Sequence, residues 1–323
     1  VNGELLLLTQ AVDAADPVLG FAIGWINALA ARAPLHVVAL RVGGTAGLDP
    51  AVRVTDLGRP GAPRGVVATR LAALAARTRA RACLVHMNWP MLLAVGPVLR
   101  TRRLRTGLWW AHGAAPAGLR AAARFADVIL TSAPDACRVA PAKVRVLGQG
   151  IDLSRFTPAA AEPPDPFTVV SAGRIAPVKR PHLVAQACAR AGVALRLVGP
   201  GAMAGLAAEP PVPHAAMPAL LQGAHAFATA SDTGSPDKAA LEAMACGLPV
   251  VALGEGLRGA LPAGLAAQVI VPDVDAMAAR LAALAAMPGQ QRRAFGLALR
   301  QVVVARHGLD ALAGRIVAEL AAC

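Results

Sequence analysis

The sequence predicts an α/β protein built from two parallel-sheet units in tandem, and three observations carry that expectation. Short apolar runs alternate with longer stretches of helical period, the alternation stops at a proline-rich segment, and it then begins again. In the first half, "ELLLLTQ", "LHVVAL", "ACLVHMN", "GLWWAH" and "ADVILTS" read as strands, with helices expected near Val18–Arg32, Val66–Thr78 and Pro90–Leu99. The segment Phe156–Pro166, "FTPAAAEPPDP", breaks the rhythm, because proline neither continues a helix nor sits inside a central strand.

Beyond it, "FTVVSAG", "ALRLVG", "HAFATAS", "LPVVAL" and "QVIVPD" read as strands, with helices at Pro181–Ala191, Met217–Gln222 and Asp237–Ala245. From Val274 onward the chain reads as helical, interrupted at Pro288–Gly289 and His307–Gly308. The expected organisation is an N-terminal unit at 1–158, a linker at 159–166, a second unit at 167–305, and a last helix at 306–323 packing back on the first unit. Two open parallel sheets place their ligand-facing loops at the carboxyl ends of the strands, facing each other across a cleft.

Composition narrows the function classes. The hydrophobic share is 56%, but much of it is alanine and aromatics make up only 3%, so apolar character comes from small residues. The longest uncharged stretches contain Pro or Gly and fall short of the roughly 18 residues of a spanning helix. "VNGELLLLTQ" has no basic segment before its apolar run and reads as a first strand, which places the protein in the cytoplasm. Cys83, Cys137, Cys188, Cys246 and Cys323 form no C-x-x-C pair, which argues against disulfide and zinc frameworks. Net charge is +13, but only Lys143, Lys179 and Lys238 are lysines, and the arginines spread along the whole chain. That spread argues against a nucleic-acid partner.

Two stretches carry chemistry. "VVSAGRIAPVKRPHLV" puts Arg174 directly after a strand and Lys179 just before a helix, where the free N–H groups of the helix start already favour an anion. An arginine fork and a lysine point charge suit a diphosphate. "ASDTGSPDKAALEAMACGLPVV" repeats the order of strand, turn, helix, Gly247 stop and strand, with Lys238 at the helix start and Glu242 one turn on. "LVGPGAMAG" lacks the G-x-G-x-x-G spacing of a dinucleotide loop, which argues against an oxidoreductase. The dispersed histidines predict no metal site.

Together with "LGQGIDLSRFTP", these stretches resemble the family-4 retaining glycosyltransferases of the GT-B fold, in which a strand ending in Gly-Arg is followed by Lys and an E-x7-E segment runs into "EAMACGLPVV". The resemblance implies that Arg174 and Lys179 neutralise the diphosphate of a UDP- or GDP-type sugar, that Glu242 bonds the ribose hydroxyls, and that turn amides from Asp237 through Lys238 to Ala239 contact phosphate or sugar. It implies that Gly20, in "DPVLGF", lies against the donor phosphate and that His112, in "WWAHG", lies near the donor sugar. It implies no cofactor. The sequence departs from the pattern at Gly234, where the first Glu of E-x7-E would stand, so recognition of the sugar is not assigned; Asp232 and Asp237 are the candidate substitutes. His86 and Asn88, in "VHMNWP", occupy another strand exit and either contact the acceptor or serve as core and cap.

The implied reaction moves a sugar to a hydroxyl of a glycan or lipid-linked acceptor with retention. A nucleotide-sugar epimerase or phosphorylase of the same fold stays open, as does a catalytically inactive scaffold that binds nucleotide or a partner. Arg100, Arg102, Arg103 and Arg105 form the densest basic cluster where a helix ends and a strand begins. They either complement the helix dipole or adhere to anionic lipid at the inner face of a membrane.

Overall fold

A computed structural model describes residues 3–58 and 63–322. It divides into two compact units, Val1–Gly150 with Leu309–Cys323, and Ile151–Gly308. The first contains strands β1 (Leu5–Val12), β2 (Leu35–Val42), β3 (Arg53–Asp56), β4 (Ala82–His86), β5 (Arg105–Trp109), β6 (Val128–Thr131) and β7 (Val144–Val146), in the order β3-β2-β1-β4-β5-β6-β7. All of the pairings are parallel, with Leu5 opposite both Leu35 and Ala82. Strands buried on both faces need no polar alternation, which is why β1 can read Leu-Leu-Leu-Leu.

Helices α1 (Ala22–Ala30), α2 (Arg64–Arg77), α3 (Trp89–Thr101) and α4 (Ala117–Ala122) accompany this sheet. One face packs Leu6, Leu8, Cys83 and Val85 against Leu71, Leu92, Leu99 and Leu119. The other packs Leu5, Leu7, Leu84 and Leu130 against Ile26 and Leu29, and against Leu312, Ile316 and Leu320 of the C-terminal helix, Leu309–Ala321.

The second unit holds β8 (Thr168–Ala172), β9 (Ala194–Val198), β10 (Ala226–Thr229), β11 (Val250–Leu253) and β12 (Ile270–Val271), in the order β12-β11-β10-β8-β9, again parallel. Its helices are α5 (Pro181–Ala191), α6 (Met217–Gln222), α7 (Lys238–Ala245), α8 (Ala263–Val269), α9 (Val274–Ala286) and α10 (Gly289–Arg306), which leaves the C-terminal helix as α11. α7 and α10 cover one face, with Leu241 and Met244 beside Leu299 and Val303. α5 and α9 cover the other, with Val184 and Cys188 beside Met277 and Leu281. Gly247 ends α7 with φ +75°, the left-handed conformation that glycine adopts at little cost. A Cβ on Gly296 would stand 1.9 Å from the Gly247 carbonyl oxygen, so α10 approaches that turn only as glycine. The chain enters and leaves this unit side by side, Ile151 N–H donating to His307 O at 2.7 Å.

The sequence reading omits β3, β7, α4 and α8. β3 and β7 are short edge strands whose side chains are largely exposed, so neither shows an apolar run. α4 and α8 are alanine-rich and span only 6 and 7 residues, too few for a helical period to register. Among the described residues no helix is long and apolar enough to cross a membrane.

Cys83, Cys137, Cys188 and Cys246 are free, buried thiols, and Cys323 lies outside the described residues. Burial pushes Cys188 and Cys246 up to about 12 and also raises Cys83 and Cys137. A thiol raised in the folded state favours folding in full below its unfolded value of about 8.5, and that contribution is lost as pH climbs toward the folded value. By pH 10, Cys188 and Cys246 should each have withdrawn about 2 kcal/mol. Urea unfolding at pH 8 and pH 10 should show a steep alkaline loss in the wild type, shallower by about that amount in Cys188→Ala; equal slopes would contradict it.

Candidate functional site

In an open parallel sheet, ligands bind outside the carboxyl ends of the strands where the strand order reverses. In the first unit the reversal lies between β1 and β4, and in the second between β8 and β10. The predicted residues fall at or beside those exits. Gly20 follows β1, His86 ends β4, Asn88 follows it, and His112 follows β5. Arg174 and Lys179 follow β8, while Asp237, Lys238, Ala239 and Glu242 follow β10.

In the second unit, Gly173 turns the chain out of β8 with φ +146°, and Arg174 stands exposed with no ion pair among the described residues. Lys179 closes a 3-10 turn, Pro177–Lys179, and its Nζ lies 3.1 Å from Asp237 Oδ1. Asp237 is the N-cap residue of α7, yet its carboxylate makes no cap bond. Its Oδ2 accepts instead from Thr229 Oγ1 at 2.8 Å, while Oδ1 faces Lys179. The Asp237 side chain therefore does not cap α7, which leaves the helix start suited to an outside anion.

One turn deeper lies a second group. Glu242 is buried, and its Oε1 accepts from His214 Nε2 at 2.9 Å and lies 3.5 Å from Lys238 Nζ. His214, in a 3-10 turn before α6, packs its ring 5.5 Å from that of Phe156. Burial lowers the Lys238 ammonium below its usual range, and the negative charges of Glu242 and Asp152 partly oppose that. Gly234 occupies the left-handed region at φ +66°, in a turn where Thr233 Oγ1 lies 3.3 Å from Ser235 Oγ.

Sequence reasoning missed Arg180 and His214. Arg180 is a non-glycine residue at φ +46°, and its guanidinium reaches across the sheet edge. Nε donates to Ala230 O at 2.8 Å, one NH2 group donates to Leu253 O at 3.4 Å, and the other lies 3.7 Å from Asp232 Oδ2. It thus ties the ends of β10 and β11 to the loop that carries Lys179. Its position between Lys179 and Pro181 was the available signal. His214 offers none, because a lone histidine in a proline-rich turn does not reveal a partner 28 positions on.

In the first unit, Asp16 Oδ1 accepts the N–H groups of Val18 and Leu19, each at 2.8 Å, and Gly20 N–H donates to Asp16 O at 2.9 Å, shaping the turn before α1. Phe21, next to Gly20, meets the buried His86 ring edge-on at 6.2 Å, which brings the two predicted positions into one neighbourhood. Of the roles open to Asn88, the structure displays the cap: Oδ1 accepts Met91 N–H at 3.2 Å at the start of α3. His112 Nδ1 accepts Ala114 N–H at 2.9 Å, so a neutral ring carries its hydrogen on Nε2.

These exits can hold an anion with two kinds of donor, cationic side chains and helix-start amides. The segment that contains both of the second unit's groups is similar to known proteins. Residues 166–287 match the family described as glycosyl transferases group 1.

The D-inositol 3-phosphate glycosyltransferase of Mycolicibacterium paratuberculosis is 32% identical over 195 residues, covering 49% of this chain and 43% of that protein. The same enzyme of Segniliparus rotundus is 33% identical over 194 residues, covering 49% and 42%. The chain thus spans less than half the length of these curated relatives. Among solved structures, sucrose-phosphate synthase of Thermosynechococcus elongatus superposes with a TM-score of 0.77 over 98% of each chain at 17% identity. Anabaena HepE in complex with UDP and glucose gives 0.75 over 99% of each chain at 16% identity. At such identities the likeness establishes the fold alone, the GT-B fold with its two parallel-sheet α/β domains.

Arg180→Met should leave the Ala230 and Leu253 carbonyls without that donor, at a cost of about 2 kcal/mol. The measurement is the urea midpoint, and an unchanged midpoint would remove Arg180 from the support of this loop.

Proposed function

We propose that the chain transfers a glycosyl unit from a UDP- or GDP-type sugar to a hydroxyl of a glycan or lipid-linked acceptor, with retention, as a family-4 enzyme. The observation that carries this reading is the juxtaposition of Lys179, held by Asp237, with the uncapped start of α7, inside the segment that matches the glycosyl transferases.

The demanding step is departure of the diphosphate as the sugar gains oxocarbenium character. Arg174, Lys179 and the α7 amides supply fixed positive charge where negative charge develops, which is more effective than charge that must reorganise during the reaction. Charge neutralisation falls to these groups rather than to a metal. Glu242 is the acceptor for ribose hydroxyls, with its Oε1 steadied by His214. By resemblance, Gly20 serves the donor phosphate, His112 presents Nε2–H near the sugar, and His86 and Asn88 belong to the acceptor side.

A binding-only scaffold is the second reading, favoured by Gly234. At φ +66° that position suits glycine, and a glutamate there would be strained.

Thermal-shift screening of nucleoside diphosphates and their sugars identifies the donor. Lys179→Ala should then lower turnover on that donor by about 100-fold or more, and normal turnover would end the proposal. Slow hydrolysis of the donor without acceptor separates enzyme from scaffold, and NMR of the product anomer tests retention. His214→Ala should raise the donor KM more than it lowers kcat, because its role is to orient a ground-state contact.

A further inference from the structure

We propose that the first unit carries a second anion site, at the amino end of its sheet, that takes a phosphate-bearing ligand with two or more negative charges. A pocket of about 600 Å³ opens there, remote along the strands from the exits that bear Gly20, His86 and His112. Four arginines line it. Arg81 precedes β4, Arg100 lies in the last turn of α3, Arg103 lies in the turn between α3 and β5, and Arg105 begins β5. Among the described residues of the lining, the only acidic side chain is Asp127, and its Oδ2 is engaged by Thr106 N–H at 2.7 Å.

The arginines are poorly neutralised. Arg105 Nε is buried without a hydrogen-bond partner, a condition native proteins rarely leave unmet. Arg81 and Arg103 make no side-chain hydrogen bond or ion pair among the described residues, and Arg103 is held at φ +55°. Arg100 is engaged, donating to Arg124 O at 2.7 Å and lying over the Phe125 ring.

A neighbouring pocket supplies the contrast. There Arg53 pairs with Glu4 at 2.8 Å and Arg70 donates to Leu57 O at 2.7 Å, while Arg77 and Arg79 have no side-chain partner among the described residues; unlike Arg105, no arginine of that lining has a buried nitrogen without a hydrogen bond. In the arginine pocket, four positive charges face one carboxylate among the described residues. One added carboxylate would leave most of that excess in place, whereas a phosphomonoester or diphosphate offsets it and offers several oxygens to planar guanidinium forks. The volume leaves room for the group that bears the phosphate. The ligand is either a soluble phosphorylated molecule or a lipid headgroup, since both present the same phosphoryl chemistry.

The probe is inorganic pyrophosphate, titrated calorimetrically into the full chain. An Arg174→Ala, Lys179→Ala background removes the cations proposed for the donor, and pyrophosphate should still bind it. Adding Arg81→Gln and Arg103→Gln should weaken that binding by about tenfold or more, as expected for lost charge-assisted hydrogen bonds. Arg120→Gln with Arg138→Gln, an equal charge change at exposed positions, should leave it intact. Circular dichroism melts confirm that each variant folds.

Pyrophosphate binding that vanishes with the donor cations alone overturns this proposal without touching the enzymatic one. Binding equally weakened by both arginine pairs overturns it as diffuse attraction, and binding that survives Arg81→Gln and Arg103→Gln overturns it outright. Sedimentation with phosphatidic acid vesicles then assigns the source. Vesicle binding that depends on Arg81 and Arg103 supports a headgroup, while pyrophosphate binding without vesicle binding supports a soluble ligand.

Discussion

The Asp237 carboxylate joins three parts of the second unit. One oxygen takes the hydroxyl of Thr229 at the end of β10, the other faces the ammonium of Lys179 from the loop after β8, and its own backbone opens α7. Each contact alone would be modest. Together they fix a cation beside a helix start in a partly buried setting, where an ion pair survives only with further hydrogen bonds to support it. An aspartate that capped α7 in the usual way would occupy one of the first-turn amides and turn a carboxylate oxygen away from Thr229 or Lys179. The proposed anion site depends on that capping bond not being made.

Much of this was legible in the chain. "DKAALEAMACGLPVV" reads as a helix over Asp237–Ala245 ended by Gly247 and followed by an apolar strand, and the structure has the helix at Lys238–Ala245 and the buried strand at Val250–Leu253. Parallel strands announce themselves because they are apolar throughout, and the exits of β8 and β10 could be located from Gly173 and from the Gly-Ser-Pro turn. Edge strands such as Val144–Val146 carry no such signature, since one side has no neighbour and their side chains meet solvent.

Partnerships across long separations were not legible. The His214–Glu242 bond and the reach of Arg180 to Ala230 and Leu253 span 28, 50 and 73 positions, and nothing local in the chain encodes them. The Arg180 contacts arise because β8, β10 and β11 are neighbours in the sheet, and the His214 bond because the turn before α6 meets α7. The arginines near Arg103 show the same limit. Sequence placed them at the amino end of the sheet, but only packing distinguishes cations with partners from those left without.

The helix Leu309–Ala321 belongs to the first unit although it follows the whole of the second. During synthesis, the sheet face bearing Leu5, Leu7, Leu84 and Leu130 must therefore wait for Leu312, Ile316 and Leu320 until Ile151–Gly308 has been made. The second unit, contiguous in sequence, can complete its core first. For that interval the ribosome holds a nascent chain with an open apolar face, and the time to translate the inserted unit sets how long that face must be kept from wrong partners.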